Sequence, residues 1–519
     1  MASSASSGAG AVGGSGGGRP RELITKFTNV TVLRNHRLVR DDLWLRGGTI
    51  IDPSERFWEA SSAGLETAAD RVVDGGGMIL APGYIDLQLN GAFGFDFSNP
   101  TDMAPVATEE EEDNTTKICR GVLAHGVTSI YATVITSSPA TYAQLRPLVK
   151  RRQGSAKKGA HILGLHLEGP FITVPGAHPP PLMRPPKGAA AQAPNSPSPS
   201  PSPPPGGNGS APNAGIDGLR EVCSVYGSSA SDLGWAGEVG IITLAPEIAG
   251  VDEVVTTLSA PPHNIVISAG HSKASYSQAV RAVHQGARLV THLFNAMVSF
   301  HHRDPGLIGL IGAPEATKDS PLPKEQGEEE KEKEKAARGS HVVRVAGPSS
   351  TLHHPAPPAL FYSLIVDGHH THPASVQIAY STHPRGAVLV TDAMCAMGLA
   401  DGTYRFGEID VEIAENMAHV AGTNTLAGSI ATMAQCVQNF RAYTACSVVE
   451  ALEAASLHPA QCMRLSRKGH LDVGADADLV LLDPDTLEVR ATWVMGECAW
   501  RDDSSKARIS ITDTAASAQ

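Results

Sequence analysis

The stretch His161-Ile-Leu-Gly-Leu-His-Leu-Glu168 is a mostly apolar run that ends on a carboxylate. Three later runs are also mostly apolar and end on a histidine or an aspartate. They are NIVISAGH at 264–271, ARLVTH at 287–292 and AVLVTD at 387–392. Runs of this length, rich in branched apolar residues, predict strands that are buried on both faces, as in a parallel sheet. The carboxyl ends of parallel strands meet at one rim, where α/β enzymes place their chemistry. The four runs therefore aim two histidines and two acids at one rim, which indicates a hydrolytic metal site.

Candidate strands of this kind recur along the middle of the chain. Eight can be counted, at 84–88, 127–133, 161–168, 241–247, 264–271, 287–292, 361–367 and 387–392. Most of them are separated by a helix-compatible segment. Eight alternating β and α units predict a (β/α)8 TIM-type barrel, in the α/β class. A doubly wound open sheet is the alternative, which the number of units disfavours.

Both ends of the chain have a different pattern from the middle. Short alternating segments with glycine turns, such as ITKFTNVTVL at 24–33, predict antiparallel strands, and a similar pattern returns near the C-terminus. We expect one small β-sandwich domain built from residues 21–80 and 471–505, beside a barrel domain at 81–470. Residues 1–20 are rich in Gly and Ser, and we expect them to form a disordered tail.

Two segments do not fit the barrel pattern. Residues 185–214 are Pro/Ser/Gly-rich, and residues 315–357 contain the mixed-charge run KEQGEEEKEKEKAARG. Both fall between predicted strands, so we interpret them as low-complexity insertions in surface loops. A partner-binding role for these segments is the alternative hypothesis.

Composition and charge exclude several classes of protein. The 519-residue chain has a formal net charge of −12, which argues against a general nucleic-acid surface. It has no apolar run of the roughly 18–20 residues that a membrane span needs, and its start lacks the apolar core of a signal peptide. Seven scattered cysteines without a CxxC pair are typical of reduced thiols. We expect a cytoplasmic protein.

The candidate metal ligands are Glu168, His271 and His292. Zinc and similar ions favour a few histidine and carboxylate ligands with one position left open for water. His271 and His292 are 21 residues apart, about one βα unit, so they are expected at adjacent strand ends. A histidine at one strand end is more often structural, but three suitable ligands at three equivalent strand ends favour a metal.

Asp392 is the candidate acid/base. A carboxylate that lies beside the metal can take a proton from a bound water and hand it to a leaving amine. The alternative is a helix N-cap, a common role for Asp. The position at a strand end favours catalysis.

Further candidates for holding a substrate follow the later strands. His178 lies in Gly-Ala-His-Pro, and His370 lies in the segment DGHHTH, where any of three imidazoles could point inward. Arg303 could grip a phosphate through its planar guanidinium, although a surface ion pair is the ordinary role of such an arginine. The chain contains neither a GxGxxG nor a Walker pattern, so no nucleotide loop is predicted.

With these motifs the chain resembles the N-acetylglucosamine-6-phosphate deacetylases of the amidohydrolase superfamily. The matching motifs, in the family order, are APGYIDLQLNG (81–91), HLEGPFI (166–172), GAHP (176–179), LAPE (244–247), AGHS (269–272), THLFNAM (291–297), DPGLIG (304–309), VDGHH (366–370), VTDAM (390–394) and LAGS (426–429). HLEGPF and THLFNAM in one chain are specific, whereas AGHS or LAGS alone would be weak. The similarity covers about residues 20–505 without the two insertions.

The resemblance implies the same metal ligands and the same acid/base that the residues themselves indicate. It implies substrate contacts by His178 near the acetyl carbonyl and by His370 at the phosphate end of the sugar. It places Asn295, Ala296 and Arg303 around the phosphate. The reaction implied is metal-dependent deacetylation of N-acetylglucosamine 6-phosphate to glucosamine 6-phosphate and acetate, in amino-sugar metabolism.

The resemblance also bears on assembly and on the number of metals. In that family the arginine reaches the site of the neighbouring subunit, so a homodimer with Arg303 contributed across the interface is implied. Many amidohydrolases carry His-x-His on the first strand for a second metal, but this chain has Gln88-Leu-Asn90 there. We therefore expect one divalent metal ion per subunit, zinc by preference.

Two other functions remain open at this point. One is another amidohydrolase that acts on a different N-acyl or cyclic amide, or a deaminase. Those enzymes usually need His-x-His on the first strand, often with a carboxylated lysine, and neither is visible. The other is a catalytically inactive scaffold, but such a relative is expected to have lost a ligand or the aspartate.

Overall fold

A computed structural model describes residues 22–514 except 55–68, 107, 109–110, 185–217, 228–236, 313–359, 407–408, 416 and 424–425. The predicted tail at 1–20 and the two predicted insertions, at 185–214 and 315–357, lie outside the described residues. In the part of the chain that is described, no helix is long and apolar enough to span a membrane.

The described strands are, in chain order, β1 (Ile24–Thr28), β2 (Thr31–Arg34), β3 (Arg37–Arg40), β4 (Leu43–Arg46), β5 (Thr49–Ile51), β6 (Arg71–Asp74), β7 (Ile79–Pro82), β8 (Tyr84–Leu89), β9 (Gly91–Ala92), β10 (Phe95–Asp96), β11 (Val127–Ile135), β12 (His161–Glu168), β13 (Val239–Leu244), β14 (Val266–Ala269), β15 (Leu289–Val290), β16 (Phe361–Ile365), β17 (Ala387–Val390), β18 (Gly402–Phe406), β19 (Ile409–Ala414), β20 (Met417–Val420), β21 (Leu426–Gly428), β22 (Leu479–Leu482), β23 (Val489–Val494), β24 (Glu497–Arg501) and β25 (Ser510–Asp513).

The described α-helices are α1 (Asn114–Gly121), α2 (Pro139–Leu145), α3 (Gly218–Val225), α4 (Val251–Ser259), α5 (Tyr276–Gln285), α6 (Pro373–Thr382), α7 (Met433–Thr444), α8 (Val448–Ala455) and α9 (Leu457–Cys462). Short 3-10 helices lie at Val122–His125, Pro180–Leu182, Gly306–Gly312, Pro384–Gly386 and Asp503–Ala507.

Eight parallel strands form the barrel, in the order β8-β11-β12-β13-β14-β15-β16-β17. Each of them overlaps one of the eight predicted runs, so the predicted barrel is confirmed. A buried cluster takes members from seven of these strands, including Ile85, Tyr131, Val266 and Phe361. Residues from strands on opposite sides can form one cluster only inside the barrel, so the interior is a packed core. The sequential strand order rules out the doubly wound alternative.

The small domain consists of two sheets built from both chain ends, as predicted. One sheet has the strand order β25-β6-β1-β4-β5, and the other has the order β24-β23-β22-β7-β2-β3. Phe27 of the first sheet meets Trp493 of the second edge to face, with ring centroids 5.1 Å apart. The domain extends past the predicted boundary at 505, because Ser510–Asp513 pairs with β6.

A buried ion pair joins the sandwich to the barrel. Asp478, just before β22, lies 3.1 Å from the Nε2 atom of His161, the first residue of β12. Lys468 Nζ lies 2.5 Å from the same carboxylate. Burial by itself would raise the pKa of Asp478, but the His161 and Lys468 contacts outweigh it and hold that pKa well below its usual range. His161 therefore has a structural role, at the opposite end of its strand from Glu168.

Strands β18–β21 form a four-stranded antiparallel sheet that the sequence patterns did not predict. It follows the last barrel strand and ends beside the rim. Met394 N donates to the carbonyl oxygen of Ser429 at 2.9 Å, and Ala393 forms a bridge with Ser429. This sheet therefore contacts the segment that follows Asp392.

Candidate metal centre and active site

The three predicted ligands converge at the carboxyl rim of the barrel. Glu168 ends β12, His271 lies two residues after β14, and His292 lies two residues after β15. All three side chains are buried, and one ligand atom from each lies within 4.8 Å of the others. Their adjacency follows from the strand order, because β12, β13, β14 and β15 are consecutive neighbours in the sheet.

The three ligand atoms lie close enough together to bind one ion, at distances equal to or slightly shorter than those of a tetrahedral zinc site. His271 Nε2 and His292 Nε2 are 3.0 Å apart, and they lie 3.3 and 3.1 Å from Glu168 Oε1. Ligand atoms about 2.0–2.2 Å from one zinc ion lie roughly 3.3–3.6 Å from each other in a tetrahedral site. A His/His/Glu set with this spacing is the donor set of a catalytic metal site, in which a fourth position takes water.

The charge states of two of the three ligands, His271 and Glu168, also suit a metal. His271 Nδ1 lies 2.8 Å from the carbonyl oxygen of Val174, which can only accept, so Nδ1 carries the proton. The lone pair of Nε2 is then available to bind a metal ion. Burial lowers the pKa of His271 to about 4, so the ring is neutral at pH 7. Burial by itself would raise the pKa of Glu168, but the surrounding imidazoles outweigh it and hold that pKa well below its usual range. The carboxylate therefore stays ionised.

The backbone turns sharply at three of the four predicted rim residues. His271, His292 and Asp392 have φ values of 48°, 29° and 49°. Residues other than glycine rarely adopt this left-handed backbone region, which costs about 1–3 kcal/mol per residue. Residues that do adopt it cluster at active sites. Each of these three residues lies two positions after the end of a barrel strand, so the unusual backbone occurs where the chain leaves the barrel.

A directed chain of hydrogen bonds lies one layer below the ligands. His166 Nδ1 lies 3.0 Å from the carbonyl oxygen of Leu87, so this nitrogen donates and Nε2 accepts from Thr243 Oγ1 at 2.7 Å. Thr243 Oγ1 in turn accepts from Thr291 at 2.8 Å, and Thr291 accepts from Ser268 at 2.5 Å. Burial lowers the pKa of His166 to about 4, which keeps the ring neutral and the direction of the chain fixed. The chain ties together the strands that carry the ligands.

Asp392 lies beside the ligands in a network of amides. Its Oδ1 atom accepts from Gln88 Nε2 at 3.0 Å and from Asn90 Nδ2 at 2.8 Å. Gln88 Nε2 also lies 2.9 Å from Glu168 Oε1, so one amide spans both carboxylates. Burial raises the pKa of Asp392 to about 6, and the charge of Glu168 adds to this effect. No described helix begins after Asp392 before α7, so the N-cap alternative is wrong.

His178 completes the buried centre. Its Nε2 atom lies 3.6 Å from Glu168 Oε2. The backbone N–H of Thr136 donates to His178 Nδ1 at 3.2 Å, so Nδ1 is an acceptor and Nε2, the nitrogen that faces the centre, carries a proton. Gly169, with a φ of 79°, makes room for this arrangement, because a Cβ there would collide with the Thr136 hydroxyl.

Of the three imidazoles at 369–372, that of His370 is the least exposed. His370 Nδ1 lies 2.6 Å from Asp367 Oδ2. His369 is exposed. His372 caps helix α6 by accepting from Ala374 N at 3.1 Å. The three histidines of the DGHHTH segment thus have different surroundings, and His370 stays the candidate for the substrate.

The predicted phosphate contacts lie farther out. Asn295 Nδ2 is 3.5 Å from Thr371 Oγ1, and the carbonyl oxygen of Ala296 accepts from Ser272 N at 3.1 Å. Both residues are half-buried, whereas Arg303 is exposed. The structure therefore brings Glu168, His178, His271, His292 and Asp392 into one buried centre, with Arg303 on the surface outside it.

Three residues near the centre were not predicted to act there. Gln88 and Asn90 were noted only as replacing a second metal site. Glu247, in the LAPE motif, accepts from Ser272 Oγ at 2.7 Å and from Lys273 N at 2.5 Å, and thereby holds the segment after His271. Side chains alternate along β8 and the residue that follows it, which places Gln88 and Asn90 on one face. This alternation is the sequence signal that could have assigned both residues to the centre.

Comparison with known proteins agrees with this geometry. The sequence profile of the Amidohydrolase family matches residues 79–510. The chain belongs to the amidohydrolase family. Two similar relatives of this amidohydrolase are the N-acetylglucosamine-6-phosphate deacetylases of Bos taurus, 40% identical over 494 residues, and of Caenorhabditis elegans, 36% identical over 479 residues. The bovine match covers 95% of this chain and 99% of the relative, and the nematode match covers 91% and 94%. The predicted resemblance is confirmed.

Solved structures give the same result for this amidohydrolase. A mutant N-acetyl-D-glucosamine-6-phosphate deacetylase of Mycobacterium smegmatis, in complex with N-acetyl-D-glucosamine-6-phosphate, superposes with a TM-score of 0.63 at 26% identity, covering 92% of this chain and 99% of that one. The enzyme of Pasteurella multocida superposes with a TM-score of 0.64 at 21% identity, over 92% and 100% of the two chains, which supports the fold alone.

Proposed function

We propose that this amidohydrolase removes the acetyl group of N-acetylglucosamine 6-phosphate, giving glucosamine 6-phosphate and acetate. The observation that carries the proposal is the buried centre in which three metal-type ligands and Asp392 lie together. The names of the relatives and the sugar phosphate bound by the mycobacterial homologue support the substrate.

We propose Glu168, His271 and His292 as the ligands of one divalent metal, zinc by preference. Such an ion polarises the amide carbonyl and lowers the pKa of a bound water. The chain supplies a neutral His271, an ionised Glu168 and a geometry of the right size for a single ion. Gln88 and Asn90, where a second metal would need imidazoles, use their amides to hold Asp392 instead.

In the proposed mechanism Asp392 moves the protons. Both of its hydrogen bonds from the side-chain amides fall on Oδ1, so we assign proton transfer to Oδ2. As a carboxylate Asp392 takes a proton from the attacking water, and as an acid it returns the proton to the amine of the leaving sugar. His178, with its proton on Nε2, donates to the acetyl carbonyl oxygen as negative charge develops there.

The phosphate end of the substrate is assigned to His370, Asn295, Ala296 and Arg303. The exposed position of Arg303, without an ion-pair partner among the described residues, suits a role in the site of a second copy of this chain. We therefore propose a homodimer with Arg303 contributed across the interface. We also propose a cytoplasmic location, which the absence of disulfides supports, since all seven cysteines are free thiols.

Acetate release from N-acetylglucosamine 6-phosphate by the purified protein tests the proposal. Turnover should disappear on chelation and return on addition of zinc or cobalt. N-acetylglucosamine without the phosphate is the matched substrate, and we expect it to be turned over poorly. Metal-loaded protein that releases no acetate from the phosphorylated sugar would direct the search to another amide substrate.

A further inference from the structure

The barrel closes between its first and last strands, and this seam carries the proposed acid/base. β8 and β17 stand at the two ends of the strand order and meet through a bridge between Leu89 and Ala393. Asp392 N donates to the carbonyl oxygen of Gln88, and Asn90 N donates to that of Ala393, each at 2.9 Å. These backbone contacts lie beyond the end of β17, at the rim.

Directly below these contacts the seam is held by a side chain. Asp86, on β8, is 1% exposed. Its Oδ2 atom accepts from Thr391 Oγ1 at 2.5 Å, and its Oδ1 atom accepts from Thr391 N at 3.3 Å and from Gln88 N at 3.1 Å. Thr391 Oγ1 then accepts from Ala393 N at 3.3 Å. One carboxylate thus binds both strands of the seam.

The two residues of this clamp, Asp86 and Thr391, stand next to the reacting groups. Thr391 precedes Asp392, and Asp86 lies two residues before Gln88. Gln88 Nε2 touches both Asp392 Oδ1 and Glu168 Oε1. A shift of β8 against the segment after β17 would therefore change the distance between Asp392 and the ligands.

A buried carboxylate is an expensive way to close a seam. The described residues give Asp86 no ion pair, only hydrogen bonds, and burial raises its pKa to about 7, because a buried charge without a cation is costly. A packed apolar pair would close two strands at lower cost in free energy, but it would not fix their register along the strand direction. Directional hydrogen bonds to both strands do fix it.

We propose that Asp86 and Thr391 are positioning residues that set the place of Asp392 relative to the metal ligands. This inference rests on the proposed function, because it takes Asp392 as the acid/base. Both residues are buried below the rim, and we assign them an action through Gln88 and the backbone of Asp392.

Thr391→Val and Thr391→Ser, each in the metal-loaded full-length protein, form the test. Valine has the shape of threonine without the hydroxyl, and serine retains it. A misplacement of about 1 Å can cost roughly a hundredfold in rate, so we expect Thr391→Val to lower kcat by about 10- to 100-fold. KM and metal content should stay near the wild-type values, and Thr391→Ser should retain most of kcat.

Several outcomes would overturn the inference. A folded Thr391→Val variant with wild-type kcat would do so, and so would equal losses in the valine and serine variants or a parallel loss of bound metal. If Thr391→Val fails to fold, Asp86→Asn decides by the same readouts. Wild-type protein without deacetylase activity would overturn the proposed function as well, whereas an active wild type beside an unaffected Thr391→Val would overturn this inference alone.

Discussion

The rim of the barrel has two halves that are built in different ways. The ligand half, from β12 to β15, consists of strands in continuous parallel pairing, and its metal-type ligands lie at or just after three strand ends. The seam half, where β8 meets the segment after β17, has a few backbone hydrogen bonds at the rim. There the side chains of Asp86, Gln88 and Asn90 add hydrogen bonds to this backbone pairing.

The difference separates two tasks of the proposed enzyme. Ligands that hold an ion need fixed mutual distances, and adjacent parallel strands fix them through the backbone. An acid/base must lie close to the ion and still exchange a proton, so amides support it without binding it to the ion. Changes in the ligand half should therefore affect metal content, and changes in the seam half should affect turnover at constant metal content.

The largest effect is expected in the ligand half, from His271→Ala. Loss of one of three ligands should remove most of the bound metal and lower kcat/KM by about a thousandfold or more, because the ion supplies several kcal/mol of transition-state stabilisation. Mass spectrometry of the metal content and acetate release measure both effects. His263→Ala, before the opposite end of the same strand, is the control and should change neither. A His271→Ala variant with full metal content would contradict the assignment of His271 as a metal ligand.

In the seam half, Asp392→Asn is expected to lower kcat by about 10²–10⁴-fold, the usual contribution of general acid–base catalysis. The amide keeps the shape of the side chain but cannot accept the proton of water. Metal content should stay near one ion per subunit, in contrast to His271→Ala. Retention of more than a tenth of the activity would remove Asp392 from its assigned role.

In the ligand half, the chain of hydroxyls below the ligands offers a smaller effect. Thr243→Val should weaken metal binding by about 10- to 100-fold, the typical effect of removing support for metal ligands. The kcat of the fully loaded protein should change little. Competition with a chelator gives the affinity, and Thr243→Ser, which keeps the hydroxyl, is the matched control. Equal affinities for the valine and serine variants would show that the chain does not support the ligands.

Outside the rim, Asp478→Asn should alter stability and neither metal content nor kcat. Removing one partner of a buried pair costs about 3–5 kcal/mol, whereas Asp41→Asn at the exposed pair with Arg34 should cost about 1 kcal/mol or less. Because the folded pKa of Asp478 is depressed, its contribution exists above the unfolded pKa of about 3.9 and is lost as pH falls below it. Thermal unfolding at pH 7 and at about pH 2 should show the difference between wild type and variant shrinking at the lower pH, which lies well below the unfolded pKa. A difference that stays constant would contradict the assignment.

The sequence predicted the ligand half better than the seam half. Glu168, His271 and His292 close apolar runs that identify themselves as strands, and consecutive strands of a barrel lie side by side. His166 was available to the same reasoning, since it lies two residues before Glu168 on one face of β12. The contacts of Asp86 with Thr391 join residues 305 positions apart, and no local pattern indicates which side chains meet where the first and last strands close.

The sequence by itself determined that the chain forms an α/β barrel with a β-sandwich made from its two ends, and that Glu168, His271, His292 and Asp392 lie at its carboxyl rim. Local alternation and apolar runs carry that information, because they follow from burial of each strand. Only the tertiary structure decided that Gln88 and Asn90 support Asp392, that His370 is less exposed than His369 and His372, and that Asp86 holds the seam. Hydrogen bonds between side chains far apart in the sequence require atoms placed to within a few tenths of an ångström. Only the closed barrel sets these positions.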